Sequence, residues 1–186
     1  VIAMSAPVAI QAAEGDATGP RTFSSRFYTG GALNINGWDL PVVVDLAGLK
    51  NGKVLVANLD HDASKRVGNF DVVNDGKSLI ANGKATAATA ARDEVVNSAA
   101  SGYQWQSSLE VQPTKVETVK AGKTVTVNGQ TFEGPLYVTR QGTLKGFAFV
   151  SHGADDNTSA TIAASAAQSK GKFMKAVIKA WQEEMG

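Results

Sequence analysis

The stretch VLVANLDHDASKRVGNFDVVNDG, residues 54–76, decides the fold because it contains two strand patterns and a hairpin turn. Residues 54–59 form a short apolar run, which predicts a buried strand. Residues 67–73 alternate in part between apolar and polar side chains and lead into Asn74-Asp75-Gly76, a turn in which Asn and Gly accept positive φ. Strands joined by such close turns predict an antiparallel, locally connected sheet.

Similar patterns continue this sheet along most of the chain. We predict further strands at residues 40–46, 78–82, 108–119, 123–127, 130–132, 136–139 and 144–151. Asn-Gly pairs predict turns at Asn51-Gly52, Asn82-Gly83 and Asn128-Gly129. Because proline cannot donate to a strand ladder, Pro113 makes residues 108–119 an edge strand or a bent one.

Two segments have helical periodicity. Residues 86–101 are rich in alanine, with an apolar stripe three or four residues apart, Thr86 as the N-cap and Gly102 just after the last turn. Residues 171–185 are amphipathic and carry Phe173, Val177 and Trp181 on one face. This second helix either packs on the core or mediates partner binding or homo-oligomerisation.

The chain therefore divides into an N-terminal arm (1–22), a mostly β (α+β) domain (23–152), a small-residue linker (153–169) and a C-terminal helix (170–186). The apolar residues 1–13 suggest a trimmed signal peptide but lack a basic leading region. They leave open a secreted β-rich adhesion or binding domain. The linker is also a candidate for self-cleavage, because a protease binds its substrate extended.

Composition excludes several classes of function. The 186 residues are 43% hydrophobic and carry 18 basic and 17 acidic side chains, so we expect a globular core and no electrostatic capture of nucleic acid or membrane. No apolar run is long enough to span a bilayer. With no cysteine and two histidines, neither a disulfide scaffold nor a thiolate or multi-histidine metal site is expected, and we predict no cofactor. Asp155-Asp156-Asn157 lacks the spacing of a calcium loop.

Without cysteine, a nucleophilic enzyme would need Ser or Thr beside a histidine base. His61 follows a buried strand and lies in a charged turn, where it is either a base open to substrate or a surface residue. Ser107 and Ser108 start a strand on opposite faces, so only one of them can meet His61. His152 is typical of a residue at a strand end.

The order of these segments resembles the prohead maturation proteases of tailed phages, which share a serine-protease fold with the herpesvirus assemblins. The matching blocks are LDHDASKRVG (59–68), GYQWQSSL (102–109) and LKGFAFVSHGAD (144–155), with RFYTGG (26–31) and NTSA (157–160) in support. The resemblance covers most of residues 23–165. It implies a compact antiparallel β-barrel with an alanine-rich helix and a C-terminal amphipathic helix.

The resemblance also implies the site residues. His61 matches the general base of the family, and Ser108 matches its nucleophile better than Ser107, because the aliphatic Leu109 follows it. The family places Glu, Asp or His at a third position, which here is Gly146. His152 lies roughly 20 Å further along the same strand and cannot replace that group. The site is then a Ser–His dyad, or Asp60, Asp62 or another carboxylate orients His61, or the chain is impaired.

The implied function is a serine endopeptidase that processes capsid and scaffolding proteins, and itself, inside an assembling procapsid in the host cytoplasm. The alternative on the same fold is a catalytically impaired or non-enzymatic capsid-assembly protein. A distance between Ser108 and His61 too long for a hydrogen bond would favour that alternative.

Overall fold

The structure, a computed structural model, describes residues 6–11, 20–35 and 37–151, and for residues 6–11 it describes only the backbone. His152, the linker at 153–169 and the C-terminal helix at 170–186 therefore lie outside the described residues. No helix in the described ranges is long and apolar enough to cross a membrane.

The described elements are eleven strands, one α-helix and a short 3-10 turn at Leu46–Gly48. In chain order they are β1 (Ala6–Gln11), β2 (Thr22–Tyr28), β3 (Ala32–Leu33), β4 (Val42–Val44), β5 (Leu49–Leu59), β6 (Asp62–Asn74), β7 (Leu79–Lys84), α1 (Ala90–Ala100), β8 (Gln106–Val119), β9 (Thr124–Val127), β10 (Gln130–Glu133) and β11 (Leu136–Val150).

The prediction of a mostly β fold is confirmed. Nine strands form one curled half-barrel sheet in the order β3-β4-β11-β5-β6-β7-β2-β1-β8, and β8 also pairs with β11. Strands β9 and β10 form a separate hairpin around the predicted turn at Asn128-Gly129. The predicted N-terminal arm contributes β1, which pairs with β2 and β8.

The expectation of an antiparallel sheet is wrong for β11. This strand is antiparallel to β8 but parallel to β4 and β5. Turn signals report only on strands that are neighbours along the chain, whereas β5 and β11 are far apart in sequence. The parallel pairing brings the end of β5 beside the end of β11, and this contact positions the candidate site.

Two predicted turns lie inside strands. Gly52 belongs to β5 and Gly83 to β7, where each glycine allows a close approach. A Cβ on Gly52 would lie 2.8 Å from the carbonyl oxygen of Leu144, and one on Gly83 would collide with the ring of Phe23. The two strands predicted at 136–139 and 144–151 also merge into the single strand β11.

Helix α1 confirms the alanine-rich helix. It begins at Ala90 rather than near Thr86, because the hydroxyl of Thr89 caps it by accepting a hydrogen bond from the amide of Arg92 at 3.2 Å. Its buried residues Ala91, Val95 and Ala99 follow the predicted stripe, and the helix packs against β6.

Aromatic rings from several strands fill the core. Phe147 of β11 lies at the centre, with its ring centroid 5.6 Å from Phe23, 5.6 Å from Phe27 and 5.0 Å from Phe70. Phe149 adds a ring 5.1 Å from Phe147. Since side chains alternate along a strand, Ala148, between these two aromatics, lies on the opposite face of β11.

Candidate active site

The candidate site lies on one face of three adjacent strands, β5, β11 and β8. The register aligns Asn58, Ala148 and Ser108 in one row across them, with Ala148 in the middle. Ala148 has only a methyl group, so it leaves room above the central strand. Side chains from the two outer strands can therefore meet over β11.

His61 enters this space from the two-residue turn between β5 and β6. Leu59 pairs with Asp62, and the two turn residues, Asp60 and His61, have φ values of 55° and 58°. Positive φ at both positions is typical of the type I′ turn, whose twist matches that of a hairpin. The amide of Asp60 donates to the carbonyl oxygen of Phe149 at 2.9 Å, which ties the turn to β11.

The imidazole of His61 bridges two residues of β8. Its Nε2 lies 2.8 Å from the Oγ of Ser108, and its Nδ1 lies 2.9 Å from the Oε1 of Glu110. Residues i and i+2 of a strand share a face and are about 6.6 Å apart along it. One imidazole ring with a hydrogen bond at each nitrogen spans that separation.

The chemistry of the partners assigns the proton on the ring. An ionised carboxylate only accepts hydrogen bonds, so Nδ1–H of His61 donates to Glu110. Nε2 then holds a lone pair and accepts the hydroxyl proton of Ser108. This tautomer is the one in which a histidine acts as a base toward serine.

Glu110 is the residue that sequence reasoning missed. The sequence analysis names Asp60 and Asp62 as carboxylates that could orient His61. Glu110 falls only under its general alternative, another carboxylate. The available signal was its spacing: Glu110 lies two residues after Ser108, on the same face of the same strand. A strand pattern does not say which neighbour a side chain faces, so the contact with His61 required the fold.

Gly146, where the family pattern places the third residue, is directly opposite Glu110 in the register of β11 and β8. A Cβ at this glycine would lie 3.2 Å from Oε2 of Glu110 and would collide with the carbonyl oxygen of Val56. The carboxylate of Glu110 thus lies over the backbone of Gly146, which has no side chain.

Two other residues considered from the sequence, Ser107 and Asp62, have different partners. Ser107 is fully buried on the opposite face, and its hydroxyl is 2.8 Å from that of Ser25. The Asp62 carboxylate accepts hydrogen bonds from the hydroxyl and amide of Ser64 at 2.6 and 2.8 Å, and the pKa of Asp62 is lowered by them, the hydroxyl contributing most. Asp62 therefore has its own partner.

Burial differs among the three bridged residues. Ser108 is 3% exposed, while the side chains of His61 and Glu110 are 27% and 14% exposed. The imidazole is the part of the site most open to solvent, and the hydroxyl is shielded. Hydrogen bonds between polar groups are stronger where water is excluded, because the local dielectric is low.

No group of three or more histidine, aspartate or glutamate residues forms a metal site within the described ranges. The side chains of Ser108, His61 and Glu110 can together perform proton transfer and nucleophilic attack.

Comparisons with known proteins return no relative: no family model matches the chain, and neither the curated proteins nor the solved structures contain a match.

Proposed function

We propose that the protein is a serine endopeptidase in which Ser108 is the nucleophile, His61 the general base and Glu110 the residue that orients the base. The observation that carries the proposal is the unbroken hydrogen-bonded relay from Ser108 through His61 to Glu110, with distances of 2.8 and 2.9 Å. A serine hydroxyl is a weak nucleophile unless an adjacent base takes its proton, and this relay provides that base.

The reaction follows from the proton positions. Oγ of Ser108 attacks the peptide carbonyl while its proton passes to Nε2 of His61, and Glu110 stabilises the imidazolium. The proton then goes to the leaving amine as the C–N bond breaks and an ester forms on Ser108. Water hydrolyses this ester, with His61 as the base again, and restores the hydroxyl.

An extended peptide fits the strand that carries the nucleophile. One edge of β8 is paired with β11. On the other edge, the described residues of β1 pair with β8 at two places, Ala6 with Ser107 and Pro7 with Gln106. From Ser108 onward that second edge has no strand partner among the described residues. A substrate could add there as a further strand, with main-chain hydrogen bonds for affinity and side-chain contacts for selectivity.

We further propose that the enzyme belongs to the prohead protease type and processes capsid and scaffolding proteins inside a procapsid. The resemblance in sequence order supports this, and the two residues that it implies, His61 and Ser108, are within hydrogen-bond distance. The curled sheet is compatible with a β-rich fold, which the resemblance also implies. A long distance between His61 and Ser108 would favour a non-enzymatic assembly protein. Here Nε2 of His61 and Oγ of Ser108 are 2.8 Å apart, which is a hydrogen-bond distance.

A fluorophosphonate serine probe followed by intact-mass analysis tests the activity. We expect one adduct on the parent protein and on Ser107→Ala, and none on Ser108→Ala. His61→Asn should react far more slowly, and it is a suitable variant because asparagine tolerates positive φ in the turn. Thermal unfolding of each variant checks that it is folded. A folded parent that forms no adduct would contradict the proposal and favour the non-enzymatic assembly protein.

A further inference from the structure

We propose that Asn58 is a positioning residue that holds the Glu110 carboxylate in the orientation in which it accepts the Nδ1 proton of His61. The structural part of this inference concerns a hydrogen-bond network, and its catalytic consequence rests on the proposed function.

The contact between Asn58 and Glu110 is direct. Nδ2 of Asn58 donates to Oε1 of Glu110 at 2.9 Å, and the same oxygen accepts the Nδ1 proton of His61 at 2.9 Å. Two donors that converge on one oxygen fix both the position and the rotation of the carboxylate. With one donor, the carboxylate could rotate about its terminal bond and carry Oε1 away from the imidazole.

Burial indicates that the polar side chain of Asn58 has a role. Asn58 is 4% exposed, and its Oδ1 has no hydrogen-bond partner among the described residues. A buried acceptor without a partner costs free energy, and an apolar residue of similar size would avoid that cost. The donor on the same amide offsets the cost because a hydrogen bond to an ionised group is stronger than one between neutral groups.

The strand register explains why Asn58 can reach Glu110. Asn58 faces the same side of the sheet as Ser108, while its neighbours Ala57 and Leu59 are buried in the core. Between Asn58 and β8 lies β11, which presents Gly146 and Ala148 on this face. The amide can thus extend across β11 without meeting a large side chain.

The test is the exchange of the Nδ1 proton of His61, observed by ¹⁵N NMR of the ring in the full chain. The sequence has only two histidines, and His61→Asn assigns the signals. We expect the parent to carry the ring proton on Nδ1 with slow exchange. In Asn58→Leu this proton should exchange with water at least about tenfold faster. Asn58→Ala should give the same result if the leucine variant fails to fold.

Another asparagine of the sheet, Asn69, serves as the control for the substitution itself. Asn69 lies on the neighbouring strand β6 and donates through Nδ2 to the carbonyl oxygen of Leu55 at 3.2 Å, away from the relay. Asn69→Leu should leave the exchange of the His61 proton unchanged, and thermal unfolding of each variant reports any loss of packing. An Asn58→Leu protein whose ring proton has the tautomer and exchange rate of the parent would overturn the proposal.

This measurement does not depend on catalysis. A parent protein with a slowly exchanging Nδ1 proton but no phosphonate adduct would overturn the proposed function, and the exchange rates in the Asn58 variants would still decide the role of Asn58. Where the adduct does form, its rate of formation should fall about tenfold in Asn58→Leu. It should change little when the same substitution is made in a Glu110→Gln background, because the two residues act through one contact.

Discussion

His61 has a backbone conformation that is uncommon for a residue other than glycine. Its φ of 58° and that of Asp60, 55°, are in the left-handed region, which costs an ordinary residue roughly 1–2 kcal/mol. The tight turn directs the imidazole back over the sheet toward β8, where both ring nitrogens find partners. The left-handed conformation of this turn thus sets the direction of the His61 side chain.

At the same scale, Glu110→Gln tests the third member of the relay. Glutamine keeps the size and the acceptor oxygen but lacks the negative charge that stabilises the imidazolium. We expect phosphonate labelling and peptidase activity to fall by about 10⁴-fold, as in Ser–His–Asp enzymes whose carboxylate is replaced by an amide and whose histidine then has the wrong tautomer, with little change in the thermal midpoint. The measurement is the labelling rate from intact-mass time courses.

The matched control for this substitution is Glu117→Gln. Glu117 lies on the same strand, its side chain is 47% exposed, and it binds Nε of Arg140 at 2.6 Å. It should label at the rate of the parent. Equal rates in the parent and in Glu110→Gln would show that the carboxylate does not assist the base.

At the scale of the elements, β11 contributes to the site mainly by having small residues where the site lies. Its core face carries Phe147 and Phe149, whereas its site face carries Gly146 and Ala148. Large side chains on the first face anchor the strand, and small ones on the second leave the volume in which Glu110 and His61 meet. The same strand therefore packs into the core on one side and leaves room for the proposed site on the other.

Gly146→Ala tests this division of roles. The new Cβ would collide with the carbonyl oxygen of Val56. It would also lie 3.2 Å from Oε2 of Glu110, which is closer than an ordinary contact. We expect a loss of about 1–3 kcal/mol in the free energy of unfolding, together with slower labelling of Ser108. Denaturant unfolding and the labelling time course measure the two effects.

Gly31→Ala is the comparison for that variant. The nearest atom to a Cβ at Gly31 is Oγ1 of Thr29 at 3.8 Å, which is an ordinary contact. Its stability and labelling rate should stay close to those of the parent. A Gly146→Ala protein that behaves the same way would refute the packing argument.

The turn between β6 and β7 gives a pH-dependent prediction. The Asp75 carboxylate accepts hydrogen bonds from the amides of Lys77 and Ser78 and from the Ser78 hydroxyl, and the pKa of Asp75 is lowered by them, the Lys77 amide contributing most. Since the folded pKa is below the unfolded one, about 3.9, the stabilisation is complete above that pH and is lost as the pH falls through the folded pKa.

Asp75→Asn should therefore lower the thermal midpoint at neutral pH, and its difference from the parent should shrink as the pH falls below about 4. Thermal unfolding of the parent and of Asp75→Asn across this pH range measures the difference. A difference between Asp75→Asn and the parent that is constant with pH would exclude a contribution from the charge.

At the scale of the whole molecule, the sequence predicted what depends on neighbours along the chain. The alanine stripe of α1, the hairpin around Asn128-Gly129 and the end of β6 at Asn74 all follow from local periodicity and turn chemistry. The residue types that nucleophilic chemistry needs point to His61 and to Ser107 or Ser108, and the resemblance to the prohead proteases selects Ser108. Alternation correctly separated Ser107 from Ser108.

The features of the fold and the site that the sequence did not predict depend on contacts between segments far apart in the chain. The parallel pairing of β11 with β5 has no local signal, and glycines inside strands resemble turn glycines until the facing backbone is known. Glu110 and Gly146 show this most clearly. Neither residue carries a signal by itself. The register of β8 and β11 places Glu110 beside His61 and Gly146 opposite Glu110, where its lack of a side chain leaves room for the carboxylate.

The relay is supplied by two short pieces of chain: 58–61 provides the amide and the imidazole, and 108–110 provides the hydroxyl and the carboxylate. The hairpin turn at Asn74-Asp75-Gly76 lies between them. A polypeptide divided at that turn would place the base on one fragment and the nucleophile on the other. Reactive serine would then arise only from reassembly, which would make the site a chemical reporter of complementation between the two halves.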